Sequence, residues 1–189
     1  MTQEYFLGLD VPPDAHRFYQ SVTAWARRVH GIHSGVNATA HIMVKLPFAD
    51  DELALSSQSE LRAWLSSVIM AWRRGPVGVE LGPVITVAPE EICLDARGND
   101  LRALMRHIQW RSWLRNLRVR PGLPQPRLVL FTGLEEEFFP AALELVSARG
   151  WRTQAFILDT LQLFRKGDDG RWWVCDDFSL KHTGGRSWW

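Results

Sequence analysis

His41-Ile42-Met43-Val44-Lys45-Leu46-Pro47-Phe48 and, half a chain later, Pro126-Arg127-Leu128-Val129-Leu130-Phe131 decide how this sequence is read. Each run alternates β-branched or long apolar residues with others, a pattern that predicts a strand with one buried face. Strict alternation sets His41, Met43 and Lys45 on one face of the first strand, and Arg127, Val129 and Phe131 on one face of the second.

The flanking sequence predicts an alternation of strands and helices. Tyr5-Phe6-Leu7-Gly8-Leu9 is a short strand stopped by Val11-Pro12-Pro13. Asp14 is placed to cap a helix running to about His30, with Phe18, Val22, Trp25 and Val29 at helical spacing. Gly31 to Asn37 reads as a loop before the His41 strand, which Pro47 ends. Ser57 or Ser59 opens a helix through Leu61, Trp64, Leu65 and Val68 that closes near Arg74-Gly75-Pro76. Val77 to Val87 and Glu91 to Leu94 read as a strand pair turning at Ala88-Pro89.

The segment 99–118 is predicted helical, with an apolar stripe that changes sides. Leu101, Leu104, Met105 and Ile108 share one face, and Trp110, Trp113, Leu114 and Leu117 lie roughly opposite. Either the helix kinks near Gln109, or one stripe packs on something outside the domain. Beyond the Arg127 strand, a helix is expected from about Glu135 to Arg149 with acids in its first turn. Thr153 to Phe164 and Arg171 to Val174 read as strands joined by the turn Lys166-Gly167-Asp168-Asp169-Gly170. The order of elements predicts an α+β fold of two similar lobes in a single domain over 1–189, with a short mobile tail at about 181–189.

Composition bounds the function classes. The 189 residues are 46% apolar and 23% charged, ordinary for a soluble globular chain. No uncharged run is long enough to span a bilayer, and Met1-Thr2-Gln3-Glu4 lacks the basic-then-apolar start of a signal peptide, so a cytoplasmic protein without membrane contact is expected. Cys93 and Cys175 lack metal-type spacing and read as reduced core thiols, so neither metal nor cofactor is expected. Charge is uneven: residues 1–95 hold 7 Lys/Arg against 11 Asp/Glu, and residues 96–189 hold 15 against 10. Between Arg97 and Arg127 stand eight arginines and one acid, Asp100. That asymmetry suits a phosphate-bearing partner as well as a solvated helix face.

Five ordered stretches resemble the two-histidine (2H) phosphoesterase superfamily, which includes bacterial 2′-5′ RNA ligase-like proteins and cyclic phosphodiesterases. They are the Tyr5–Leu9 strand, Ala40-His41-Ile42-Met43-Val44-Lys45-Leu46-Pro47-Phe48, the Pro-preceded Arg127 strand, the Leu158–Phe164 strand and the Arg171–Leu180 end. The resemblance implies a bilobal fold with two antiparallel sheets around a central cleft, helices outside and one His-x-Thr/Ser motif per lobe. It also implies two histidines exchanging roles as general acid and base around a phosphate, which suits a group half-protonated near neutral pH.

Here the motifs depart from the family. Only His41 survives as a catalytic candidate; Arg127 stands at the second histidine position and stays protonated at physiological pH. Met43 and Val129 replace the hydroxyls and donate nothing. Arg127 can still pair with phosphate, with Lys45, Met43, Val129 and Thr39 as the other candidate lining residues. Thr132 falls on the opposite face from Arg127 by alternation, and His33, His107 and His182 have no spacing that ties them to the site.

Three functions compete on these grounds. The first is a binder of an RNA end or phosphorylated nucleotide with impaired catalysis. The second is an active 2′,3′-cyclic phosphodiesterase or RNA-end-processing enzyme with His41 as its single acid or base. The third is a non-catalytic scaffold with a tryptophan-rich interface, for which an oligomer is allowed. Segment 102–118, where Trp110 and Trp113 stand among arginines, is the candidate contact surface.

Overall fold

The computed structural model describes residues 3–31, 39–49, 51–53, 55, 57–87, 91–115 and 123–181. Among these residues eight strands and four α-helices follow one another. They are β1 (Glu4–Asp10), α1 (Pro13–His30), β2 (His41–Ala49), α2 (Gln58–Met70), β3 (Val77–Val87), β4 (Glu91–Arg97) and α3 (Asn99–Arg115), then β5 (Arg127–Phe131), α4 (Phe139–Arg149), β6 (Gln154–Leu158), β7 (Thr160–Lys166) and β8 (Trp172–Ser179). The fold is α+β, as expected.

All eight strands form one antiparallel sheet in the order β6-β3-β4-β5-β2-β1-β7-β8. The two sheets expected from the sequence are its four-stranded halves. Only one residue pair, Ile42 with Leu128, joins them at the β2–β5 seam. Connectivity forces the sheet to curl. Strands β6 and β7 are separated only by Asp159, so Leu158 and Thr160 lie within ~7 Å of each other. In a flat sheet the six strand steps between them would span about 29 Å. The far edge of one half therefore swings round to meet the other half.

Helices cover one face. Tyr5, Leu7, Leu9, Ile42, Leu94 and Leu128 join Val22, Leu65, Leu104 and Val146 from the four helices in one apolar core. Phe6, Cys93 and Phe164 are equally buried but lie outside that core, on the opposite, concave face. No helix among the described residues is long and apolar enough to cross a membrane.

Several local expectations change. Pro12, with extended backbone, is the N-cap of α1, and Asp14 lies inside the first turn without a capping bond. Ser57 caps α2, accepting from the Glu60 amide. Pro47 sits inside β2 with its ring exposed rather than ending it. Helix α4 begins at Phe139, so Glu135, Glu136 and Glu137 precede it; Pro140, near the start, brings the backbone torsion a first helical turn needs. The single strand expected from Thr153 to Phe164 is two strands in different halves of the sheet. No glycine or proline marks the break at Asp159.

Helix α3 is unbroken through Gln109. Leu101, Leu104, Met105 and Ile108 are buried, while Trp110, Trp113 and Leu114 are exposed, so the second stripe faces away from the domain. The rings of Trp110 and Trp113 stack on each other at 5.2 Å. Leu117, Arg118, Arg120, His33, His182 and the tail beyond Lys181 lie outside the described residues.

Candidate functional site

Matching irregularities place the two quoted stretches. Along β2 and β1, His41 stands opposite Asp10, Met43 opposite Gly8 and Lys45 opposite Leu7, which leaves Val44 as an extra residue. Along β5 and β4, Arg127 stands opposite Asp95, Val129 opposite Cys93 and Phe131 opposite Ile92, which leaves Leu130 as the extra one. Both bulges fall three residues after the leading His or Arg, so the halves repeat each other in register as well as in order. A bulge breaks the two-residue alternation. Phe131 therefore turns into the helix-side core instead of sharing a face with Arg127. Thr132, expected on the far face, comes round to the Arg127 cluster.

The Ile42–Leu128 bridge sets the register across the seam. Continued one residue each way, it places His41 across from Val129 and Met43 across from Arg127. Ile42 and Leu128 point into the core, so these four share the concave face, with His41 and Arg127 as diagonal neighbours.

His41 sits among aromatic rings. Its imidazole lies 4.7 Å from Phe6 and 4.6 Å from Phe164, which stack on each other at 4.3 Å, and Trp172 meets Phe6 edge-on. Nδ1–H donates to the Thr39 carbonyl at 2.9 Å, leaving Nε2 as the lone-pair nitrogen. Thr39 thus serves His41 through its main chain. Burial pushes the imidazole down to about 4, against a weaker upward pull from that bond, so His41 is neutral at physiological pH.

Arg127 has a different surrounding. Its Nη2 pairs with Glu91 at 2.6 Å, both side chains being about one quarter exposed. Thr132 donates to the other Glu91 oxygen at 3.3 Å. Burial pushes the neighbouring Cys93 thiol up to about 12, with Arg127 opposing the shift, so the sulfur stays protonated. In the repeat between halves, Glu91 occupies the position that Phe6 holds beside His41. Sequence reasoning missed Glu91 because it looked like the start of an ordinary hairpin strand.

Lys45 is buried, and its ammonium lies over the Phe48 ring at 4.9 Å. Burial lowers its pKa to about 8 despite attraction from Glu52. These contacts are separate from those of His41. At pH 7 the folded protein holds this charge at a cost the unfolded chain does not bear. Lys45→Met should raise the unfolding free energy by about 2 kcal/mol at pH 7, a discount on the full shift for the lost ring contact and for the partial exposure of the site to water. The gain should vanish above pH 10.5, where both states are neutral; urea melts at neutral pH and above that value check it.

His107 is structural, bonding the Val68 carbonyl at 2.9 Å and packing on Trp72. Among the described residues no three His, Cys, Asp or Glu side chains gather as a metal site would need. A cavity of about 660 Å³ opens further along the concave side beside Arg97, Arg102 and Ile157.

No family model matches the sequence, and comparison with curated proteins finds no match. Solved structures do match over nearly the whole chain. Escherichia coli LigT complexed with 3′-AMP is 13% identical with a TM-score of 0.58, covering 96% of this chain and 99% of that one. LigT complexed with NADP+ is 14% identical with a TM-score of 0.60, covering 96% and 100%. A phosphoesterase is 12% identical with a TM-score of 0.59, covering 95% and 99%. The chain has the LigT-like 2H phosphoesterase fold, as its motif strands imply.

Proposed function

We propose that the protein binds an RNA end or nucleotide phosphate on the concave face between His41 and Arg127, with little or no turnover. The carrying observation is the state of His41: neutral, with Nδ1 committed to Thr39 and Nε2 offering a lone pair. Such a group accepts a proton from a ligand hydroxyl or a protonated phosphate oxygen, but at pH 7 it has none to give. Arg127 never releases its own, and Met43 and Val129 supply no donor to a phosphate oxygen. A missing general acid typically forgoes ~10²–10⁴-fold in rate. Phosphate recognition itself asks only for a fixed cation and an acceptor, both of which remain. LigT, of the same fold, has been solved with 3′-AMP and with NADP+, which supports a nucleotide phosphate as the ligand class.

Calorimetry with adenosine 3′-monophosphate tests this directly. Binding should weaken roughly tenfold in Arg127→Ala, a modest loss because Glu91 already shares the guanidinium. Wild-type protein should leave 2′,3′-cyclic AMP intact. Hydrolysis of the cyclic nucleotide that His41→Asn abolishes would instead establish the phosphodiesterase reading. Absence of both binding and hydrolysis, with a dimer that dissociates in Trp113→Ala, would favour the scaffold.

A further inference from the structure

Gln162 interrupts the apolar run Leu161-Gln162-Leu163-Phe164 on β7 and stands opposite Gly8. It is 9% exposed, and its Oε1 is buried without a hydrogen-bond partner, alone in this among side-chain polar atoms of the described residues. A native protein rarely leaves a buried acceptor unpaired, because its lost hydration is then uncompensated.

Gly8 connects this amide with His41. A Cβ at Gly8 would come within 3.1 Å of His41 Cβ and Cδ2 and 3.2 Å of Phe164 Cε2. The His41 and Phe164 rings thus close over the glycine, and Gln162 rises on the adjoining strand. The other half has no counterpart. There the position of Gly8 is Cys93, fully buried, and the residue across from it on β3 is Ile85. Among the described residues, an unpaired buried acceptor belongs to the His41 half alone.

We propose that Gln162 is a specificity-determining residue whose Oε1 accepts a hydrogen bond from a hydroxyl of the bound ligand. The cleft then favours an organic phosphate with a hydroxyl on the carbon next to the phosphate-bearing one, and discriminates against analogues lacking it. This rests on the phosphate reading above. Gly8 separates Gln162 on β7 from Met43 on β2, the neighbour of His41 on the same face, so a donor to Oε1 lies close to a phosphate held at His41, and a vicinal hydroxyl does. A ligand without it leaves Oε1 unpaired, which is how sites built to hold a hydroxyl reject its absence.

Calorimetry with adenosine 3′-monophosphate and its 2′-deoxy counterpart tests the assignment, on wild type, Gln162→Met and Arg127→Ala, each also melted without ligand. Wild type should prefer the ribonucleotide about tenfold. Gln162→Met should bind both forms equally, at the wild-type affinity for the deoxynucleotide, and melt no lower than wild type. Gln162→Asn, which withdraws the amide by one methylene, should lose the preference too and serves if the Met variant does not fold. Arg127→Ala should weaken both nucleotides alike. A ribonucleotide preference that is absent in wild type or survives in the Gln162 variants overturns the role of Gln162 and leaves the phosphate reading standing. Failure of wild type to bind either nucleotide overturns both.

Discussion

Between pH 7 and pH 4 the protein should lose about 3 kcal/mol of stability through His41 alone, and His41→Asn should escape that loss. At pH 7 the imidazole is mostly neutral in both states and contributes little pH dependence. Below 6.5 the unfolded chain takes up a proton there, while the folded protein refuses one until about 4, because the ring is buried against Phe6, Phe164 and Gly8. Each unit of that difference favours the unfolded state by about 1.4 kcal/mol. The asparagine side chain would keep a donor for the Thr39 carbonyl and carries no titratable group. The measurement is the wild-type minus variant difference in urea unfolding free energy across this range, which cancels the other groups. A difference that stays flat would mean that the imidazole is solvated and takes up its proton in the folded protein as readily as in the unfolded chain.

Gly98→Ala should destabilise the protein by about 3 kcal/mol or more and lower its Tm by roughly 10 °C. Gly98 is the single residue between β4 and α3, and a Cβ there would run into the Gly78 carbonyl oxygen of β3. That oxygen cannot easily retreat, since Gly78 is held in the ladder opposite Ile157 of β6. The clash is with main chain, so no rotamer relieves it. A thermal melt of the variant, alongside Gly133→Ala as a control in open space with a positive φ of 62°, separates collision from simple backbone preference. A Gly98→Ala variant as stable as the control would show that the β4–α3 junction gives way.

The order of elements was legible because alternation and helical spacing are local. So was the shared face of His41 with Met43 and of Arg127 with Val129, since both pairs precede the bulges. What followed was not. Val44 and Leu130 are ordinary strand residues, yet each is the extra one in its ladder, and the slip moves Lys45, Phe131 and Thr132 away from where alternation sets them. Asp159 hid for a similar reason: it has neither the ring of proline nor the freedom of glycine, and the apolar pattern runs past it. Gln162 did carry a signal, as a lone amide in an apolar run. Glu91 had none, because its meaning depends on Arg127, which follows 36 positions later in the chain. The chemistry of a site spread over β1, β2, β4, β5 and β7 is set by pairings that no local pattern contains.

The two halves differ in how the chain assembles them. Residues 77–158 supply β3, β4, β5 and β6 in one continuous stretch, whereas the His41 half joins β1 and β2 to β7 and β8, from opposite ends of the sequence. Contacts between such distant segments form late, since the closure entropy of the long intervening loop must be met first. During synthesis β1 has no β7 to pair with until the four strands of the other half have emerged. The surroundings of His41, which need Phe164 and Trp172, thus form after those of Arg127. A chain lacking β7 and β8 would retain the strands of the Arg127 half, while the His41 half would lose Gln162, Phe164 and Trp172.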